Sequence, residues 1–421
     1  MRRPLRATAL FLCYLGLGLA ADQGQEKQPF SQRMLASIIG RQQGVVSSGE
    51  TTSTLESGFL ALTLLSTADR YAEQASTYTG YLNRILDIAS AELDNATADA
   101  LLPLDRLSVG VALSDAAKPL GGLSKNQTAA ATALAASLRA QARNYLGGYL
   151  YYAGAYPTLS YLDGLFSLLP YTVAQPSPNY TDISLQLSLL VSRCHQESSG
   201  LVTHGYDANF TYPWAERPTG KSPYVWGRSL GWFMSGLVQA YGELCCASAS
   251  RAAREELGPA ETQLCDQLKT TFQDTARNLI PYADQSTGAW YQLTALPGET
   301  GNFLESSSTL LFTWSLLKAI RLQILADMDF ESTVHEASMK AYRYAAENFL
   351  VYYNMDGSFA ESGGGNGTVG INQTVAVCSL NSTATYEYYT GRPILLNSLL
   401  GESAFVMASL EVERLGERWG G

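Results

Sequence analysis

Glu305–Gln323 reads ESSSTLLFTWSLLKAIRLQ. Leu310, Trp314, Leu317 and Ile320 stand three or four residues apart, the spacing of one helix face. The same periodicity recurs over Phe30–Arg41, Glu56–Gln74, Tyr78–Leu93, Asp105–Ala116, Gln127–Tyr145 and Tyr161–Tyr171. It continues over Tyr180–Gln196, Arg228–Leu244, Ala260–Tyr282, Ser332–Leu350 and Gly401–Leu415. That makes twelve helices. Thr181-Asp182 and Ser332-Thr333 read as helix-start chemistry. Strand signals are sparse and isolated, at Trp290–Leu293 and Thr374–Cys378. No composition break divides the chain, and the glycine-rich Gly363–Gly370 reads as a loop. Twelve helices suit either a superhelical repeat array or a closed ring of six hairpins. An array should repeat its sequence at a fixed period, and none is visible. The expected fold is therefore all-α: a single (α/α)6 barrel over 21–421, with its loops gathered at one mouth around a pocket of carbohydrate size.

The chain has 421 residues, 46% hydrophobic and 16% charged, enough to bury a large core. Its net charge is −10, with no basic stripe, which argues against a nucleic-acid partner. Arg2, Arg3 and Arg6 precede an apolar run from Ala7 to Ala20, with small residues at Gly18 and Ala20. That pattern is a signal peptide over 1–20, cleaved after Ala20, and the run is short for a bilayer span. Cleavage removes three arginines and leaves a net charge of −13. We expect a secreted, extracellular monomer with no membrane contact after cleavage. Seven glycosylation sequons, at Asn95, Asn126, Asn179, Asn209, Asn366, Asn372 and Asn381, agree with export. Past the leader remain Cys194, Cys245, Cys246, Cys265 and Cys378, an odd number. Cys245 or Cys246 with Cys265 is the expected local bridge. The spacing lacks the CxxC pairs of a structural zinc site, and three scattered histidines make a poor metal centre. No cofactor is implied. HExxH is missing from the sequence.

Carboxylates remain as acid and base candidates. Asp163 lies in Tyr161-Leu162-Asp163-Gly164-Leu165-Phe166, and Asp105 in Leu104-Asp105-Arg106-Leu107. Each begins a helical run, so each could be a helix cap. The apolar flanks also suit a desolvated carboxyl of raised pKa, as a general acid requires. His204, in the turn-rich Thr203-His204-Gly205-Tyr206-Asp207, is as open to a structural role as to a functional one. Tyr224–Trp232 sets Trp226 and Trp232 around Arg228. Tryptophan faces stack on sugars and arginine forks onto carboxylates, so the cluster suits an acidic sugar. The alternative is a buried aromatic patch with Arg228 in a structural ion pair.

Together these segments resemble the unsaturated rhamnogalacturonyl hydrolases, glycoside hydrolase family 105, and more distantly the unsaturated glucuronyl hydrolases. Leu162–Phe166 resembles the family's L-D-G-L-[FY], and His204-Gly205-Tyr206-Asp207 its H-G-[WY]-D. Trp226–Trp232 is similar to W-A-R-G-N-G-W, and Trp290-Tyr291-Gln292 with Gly301–Ser307 to W-Y-Q…G-N-Y-L-E-A-S. The resemblance runs from about Asp105 to Leu410. It implies an (α/α)6 barrel, and release of a Δ4,5-unsaturated uronic acid from the non-reducing end of a lyase product. It implies Asp163 as general acid, Asp105 as the second carboxylate, and His204, Arg228 and Trp232 as contacts of an acidic oligosaccharide. Trp226, Tyr161, Tyr152 and Trp290 complete the expected substrate site. Departures fall at Leu55, in Gly147–Tyr152 where Tyr151-Tyr152 puts tyrosine at the one place the family often gives to histidine, at Tyr161 where it often has tryptophan, and at Ser229-Leu230 in place of glycine-asparagine. They bear on which sugar is bound and on whether activity survives. Two other readings stay open: an exo-hydrolase of intact acidic sugars, and a non-catalytic carbohydrate-binding protein.

Overall fold

In the computed structural model the run quoted first is a helix over Ser306–Arg321, buried at every position except Lys318 and Arg321. A helix buried all round must have neighbours on every side. The structure describes residues 28–45, 53–246, 257–325, 327–354, 356–361 and 367–419. The leader, the cleavage position and Asn366 lie outside them. The helices are α1 (Phe30–Gly40), α2 (Ser53–Arg70), α3 (Ala75–Ala91), α4 (Ala96–Asp99), α5 (Leu107–Ala116), α6 (Lys125–Arg139) and α7 (Leu165–Val173). Then come α8 (Tyr180–Cys194), α9 (Gly227–Cys245), α10 (Pro259–Leu279), α11 (Ser306–Arg321), α12 (Met328–Asn348), α13 (Tyr386–Thr390) and α14 (Leu399–Trp419). Two of these, α4 and α13, are single turns. The other twelve are the twelve read from periodicity.

Those twelve form two rings. The inner ring runs α2, α5, α7, α9, α11, α14, each packed on the next, and α14 closes on α2. The partners α1, α3, α6, α8, α10 and α12 lie outside. The architecture is thus the (α/α)6 barrel of six hairpins. Outer helices bury one stripe, as α10 does with Leu264, Leu268, Phe272 and Leu279. Inner helices need small residues where backbones approach. A Cβ on Gly236 of α9 would stand 2.3 Å from the Leu165 carbonyl oxygen of α7. Aromatic rings plug the bore. Phe59 of α2 meets Phe166 at 5.5 Å, Trp232 at 5.1 Å and Trp314 at 5.8 Å.

Connections differ at the two ends of the barrel. From inner helix to the next outer helix they are short, such as residues 174–179. From outer to inner they are long, such as residues 195–226 and 349–398, and these gather at the N-terminal ends of the inner helices. They carry three small antiparallel sheets. β1 (Leu159–Tyr161) pairs with β2 (Gly205–Asp207). β3 (Leu350–Tyr353) lies between β4 (Phe359–Ala360) and β5 (Val369–Ile371). β6 (Thr374–Val375) pairs with β7 (Ile394–Leu395).

Several local expectations are corrected. Trp290–Leu293 is no strand; it makes single bridges, Tyr291 to Leu304 and Leu293 to Trp226. Tyr161 is not helical, because β1 is claimed by pairing with β2. The expected helix to Tyr145 stops at Arg139, and Asn144 then folds a turn by accepting from Leu146 N and Gly148 N. Helix caps lie upstream of the expected pairs: Asn179 caps α8 and Asp327 caps α12.

Cys245, the last residue of α9, is bonded to Cys265 in α10, 20 residues on. Closing a loop of that size restricts the unfolded chain by roughly 2–4 kcal/mol. Cys265→Ser should lower unfolding free energy by about that much in denaturant titration. A midpoint unchanged from the parent would show that the bridge constrains nothing.

Candidate active site

Five of the six inner helices present their N-terminal ends to one cavity. It is lined by Leu55 of α2, Asp105 just before α5, Asp163 just before α7, Trp226 and Arg228 at the start of α9, and Leu400 at the start of α14. α11 contributes Ser307 against Arg228. The cavity is tight: about 20 Å³ of it is open to the centre of a water-sized sphere, far less than the pocket of carbohydrate size expected from the sequence. Helix N-termini carry unsatisfied N–H groups and partial positive charge, so five of them together favour an anion.

Asp105 and Asp163 each sit in a 3-10 turn, Leu104–Arg106 and Leu162–Gly164, and the two turns touch. Neither carboxylate caps a helix. The caps of α5 and α7 are Arg106 and Gly164, with no side-chain bond. The capping alternative is therefore set aside. Asp163 Oδ2 accepts from Ser229 Oγ at 2.5 Å. His204 Nε2 stands 3.3 Å from the same oxygen but is not aligned for a hydrogen bond. Asp105 Oδ2 accepts from the Tyr151 hydroxyl at 2.5 Å, and its buried Oδ1 has no hydrogen-bond partner. Burial pushes the Asp105 carboxyl up to about 7, the Tyr151 bond opposes that, and the nearby Asp163 charge adds to it.

The expected residues fall into three groups. Tyr152, Tyr161, Trp226, Arg228 and Trp232 line the cavity with the two aspartates. His204 stands behind them, fully buried, sharing a 2.8 Å hydrogen bond between Nδ1 and the Tyr389 hydroxyl. Trp290 stands apart in the core: its indole N–H donates to the Leu279 carbonyl and its ring packs on Phe312. Its place in the expected substrate site is corrected by that burial.

Arg228 is 1% exposed and its Nη1 donates to the Val375 carbonyl at 2.5 Å. Ser307 Oγ lies 3.5 Å from the same nitrogen, and the guanidinium carbon is 4.9 Å from the Trp226 ring centre. Glu305, two residues before Ser307, accepts from Ser307, Ser308 and Val375 N instead. Among the described residues Arg228 thus meets a carbonyl, a hydroxyl and an indole face rather than a carboxylate.

Sequence reasoning missed four supporting residues. Ser229 holds Asp163, Tyr151 holds Asp105, Tyr389 holds His204, and Gln292 accepts from the Trp226 indole at 3.1 Å. Ser229 and Tyr151 did stand out as departures from the family pattern, which was the available signal. Among the described residues no group of three His, Cys, Asp or Glu side chains is placed to hold a metal ion, and no helix is long and apolar enough to cross a membrane.

The sequence model described as Glycosyl Hydrolase Family 88 matches residues 31–416. The chain belongs to that family. Among solved structures, this family 88 chain is similar to a family 105 glycoside hydrolase of C. acetobutylicum ATCC 824. The TM-score is 0.73 at 22% identity, over 92% of this chain and 100% of that one. It is also similar to the unsaturated glucuronyl hydrolase of Bacillus sp. GL1, with a TM-score of 0.58 at 14% identity over 91% and 95% of the two chains. These likenesses concern the fold. A curated relative, "Protein Atu3128" of Agrobacterium fabrum, is 33% identical over 131 residues, 31% of this chain and 48% of that protein. The family 88 chain thus spans about half the length of the curated relatives it matches.

Proposed function

We propose that this protein is a secreted glycoside hydrolase that removes a Δ4,5-unsaturated uronic acid from the non-reducing end of polysaccharide-lyase products. The unsaturated galacturonyl or rhamnogalacturonyl type is the substrate we favour. One observation carries the reading: two buried carboxyls and a buried arginine share a cavity lined by the N-terminal ends of five inner helices. Relatives of the same fold include an unsaturated glucuronyl hydrolase, which supports it.

In this scheme Asp163 gives a proton to C4 of the vinyl ether and water adds at C5. The hemiketal so formed opens and the sugar is released. The spacing rule for the two carboxyls of anomeric displacement does not apply, because no bond to C1 is attacked. Asp105 is neutral below about pH 7. Beneath that pH it adds no negative charge to a cavity that must admit a uronate, and above it repulsion grows. Turnover per unit substrate should therefore fall as pH rises through about 7. Tyr151→Phe removes a bond that lowers the Asp105 pKa, so the fall should move to higher pH. A pH profile of kcat/KM with the same break in both proteins would exclude Asp105 as its source.

The deciding experiment is turnover on pectin-lyase, rhamnogalacturonan-lyase and ulvan-lyase digests. Loss of the unsaturated-uronate absorbance supports the proposal. Sugar release without that loss favours an exo-hydrolase of intact acidic sugars, and binding without turnover a carbohydrate-binding protein. Export is tested separately by the mature N-terminus, expected at Ala21.

A further inference from the structure

The cavity of the two aspartates is closed as well as tight. Its described lining residues are buried except Tyr152 and Val377, which are half-exposed. The opening therefore lies between these two side chains. Tyr152 belongs to the connection that leads into β1, and Val377 to the stretch between β6 and α13. A space of about 20 Å³ on this measure holds about one water molecule. A pyranose ring enters only if part of the wall moves.

Residues 377–383 are the part of the wall suited to moving. They form neither helix nor strand. Among the described residues, the hydrogen bonds that hold them to the rest of the chain end on side chains. Leu380 N donates to the Tyr161 hydroxyl at 3.0 Å, and Ser379 Oγ shares the same hydroxyl at 2.8 Å. The Trp214 indole donates to the Leu380 carbonyl at 3.0 Å. Ser379 N donates to the Tyr388 hydroxyl at 2.8 Å. The ends of the stretch are firmer. Ala376 N donates to the Pro393 carbonyl beyond the pairing of β6 with β7, and Thr385 caps α13. Side-chain bonds between two such anchors can break together while the barrel stays folded.

We propose that residues 377–383 form a strap over the cavity, latched by the Tyr161 hydroxyl and the Trp214 indole, that lifts to admit and release the ligand. The hydrolase reading supplies only the identity of that ligand, an unsaturated uronyl sugar. The opening has a reporter of its own. Cys378 lies on the strap, lines the cavity and is 2% exposed. Burial pushes its thiol up to about 12. Cys194, at the end of α8, is 0% exposed, and burial pushes its thiol up to about 12 as well. Lifting the strap bares the first thiol and lets it ionise, and leaves the second covered.

The test treats the whole protein with N-ethylmaleimide and follows each cysteine by peptide mass spectrometry. Cys378 should label on the order of tenfold faster than Cys194, or more, because local opening is commoner than unfolding. Trp214→Phe keeps an aromatic ring and removes the donor; Ser379→Ala removes one partner of the Tyr161 hydroxyl. Each should speed Cys378 about fivefold, the factor of one ordinary hydrogen bond, and leave Cys194 unchanged. Equal rates for the two thiols in the parent mean that the cavity opens only on unfolding, and overturn the strap. So does Cys378 labelling that neither variant speeds. Should Trp214→Phe loosen the whole fold, Cys194 will speed too, and Ser379→Ala then decides. An unsaturated uronyl disaccharide bound to the Asp163→Asn protein should slow Cys378 labelling. If the latch variants speed Cys378 and the disaccharide gives no protection, the strap stands and the hydrolase reading fails.

Discussion

Asp163→Asn is expected to lower kcat by about 10²–10⁴-fold, equivalent to about 3–5 kcal/mol of barrier. The amide keeps the volume of the carboxyl but cannot give up a proton to C4. Its oxygen can still accept from Ser229, whose hydroxyl holds Oδ2 at 2.5 Å in the parent. The turn Leu162–Gly164 is fixed by more than this side chain, since Leu162 N donates to the His204 carbonyl. Fold and substrate binding should therefore survive, and thermal unfolding should change little. The measurement is kcat at saturation, with Kd taken separately by calorimetry. Near-normal kcat would remove Asp163 from the chemistry.

Why the barrel could be read from sequence is clear from α11. Its burial is written in local spacing, three and four residues apart, and the same holds for the other long helices. What local spacing cannot carry is pairing at a distance. Tyr161 continues an apolar run and looks helical, but Gly205, 44 residues later, pairs with it in a sheet. The site divides in the same way. Asp105 and Asp163 were legible because each is a polar residue in apolar company at a helix start. Tyr389 was not legible as a partner of His204, because 185 residues separate them and nothing local marks the bond. Trp290 shows the converse error. A tryptophan beside a recognisable motif suggests a sugar platform, yet here its indole N–H finds the Leu279 carbonyl inside the core. Composition tells which side chains can stack on a sugar; only packing tells which faces are left free.

Arg228→Lys should raise the apparent KM for an acidic substrate more than tenfold, or roughly 1.4 kcal/mol. A guanidinium offers several N–H groups in a fixed plane, and lysine offers one point of charge. In this protein Nη1 is already committed to the Val375 carbonyl of β6. Arg228 also lines the cavity, so under the proposed function the rest of the fork would meet the uronate carboxylate. Lysine can serve one of these partners and not both. The structure also sets a cost in stability. If the ammonium turns to the substrate, the Val375 carbonyl loses a buried donor, at a cost of about 1–3 kcal/mol. The variant should therefore show a raised KM together with a lowered Tm. Both effects would follow if one side chain braces the loop and also meets the ligand, as proposed. A lowered Tm with normal KM would assign Arg228 to bracing β6 alone. A raised KM with normal Tm would show that the bond to Val375 contributes little, and that the fork acts on the substrate.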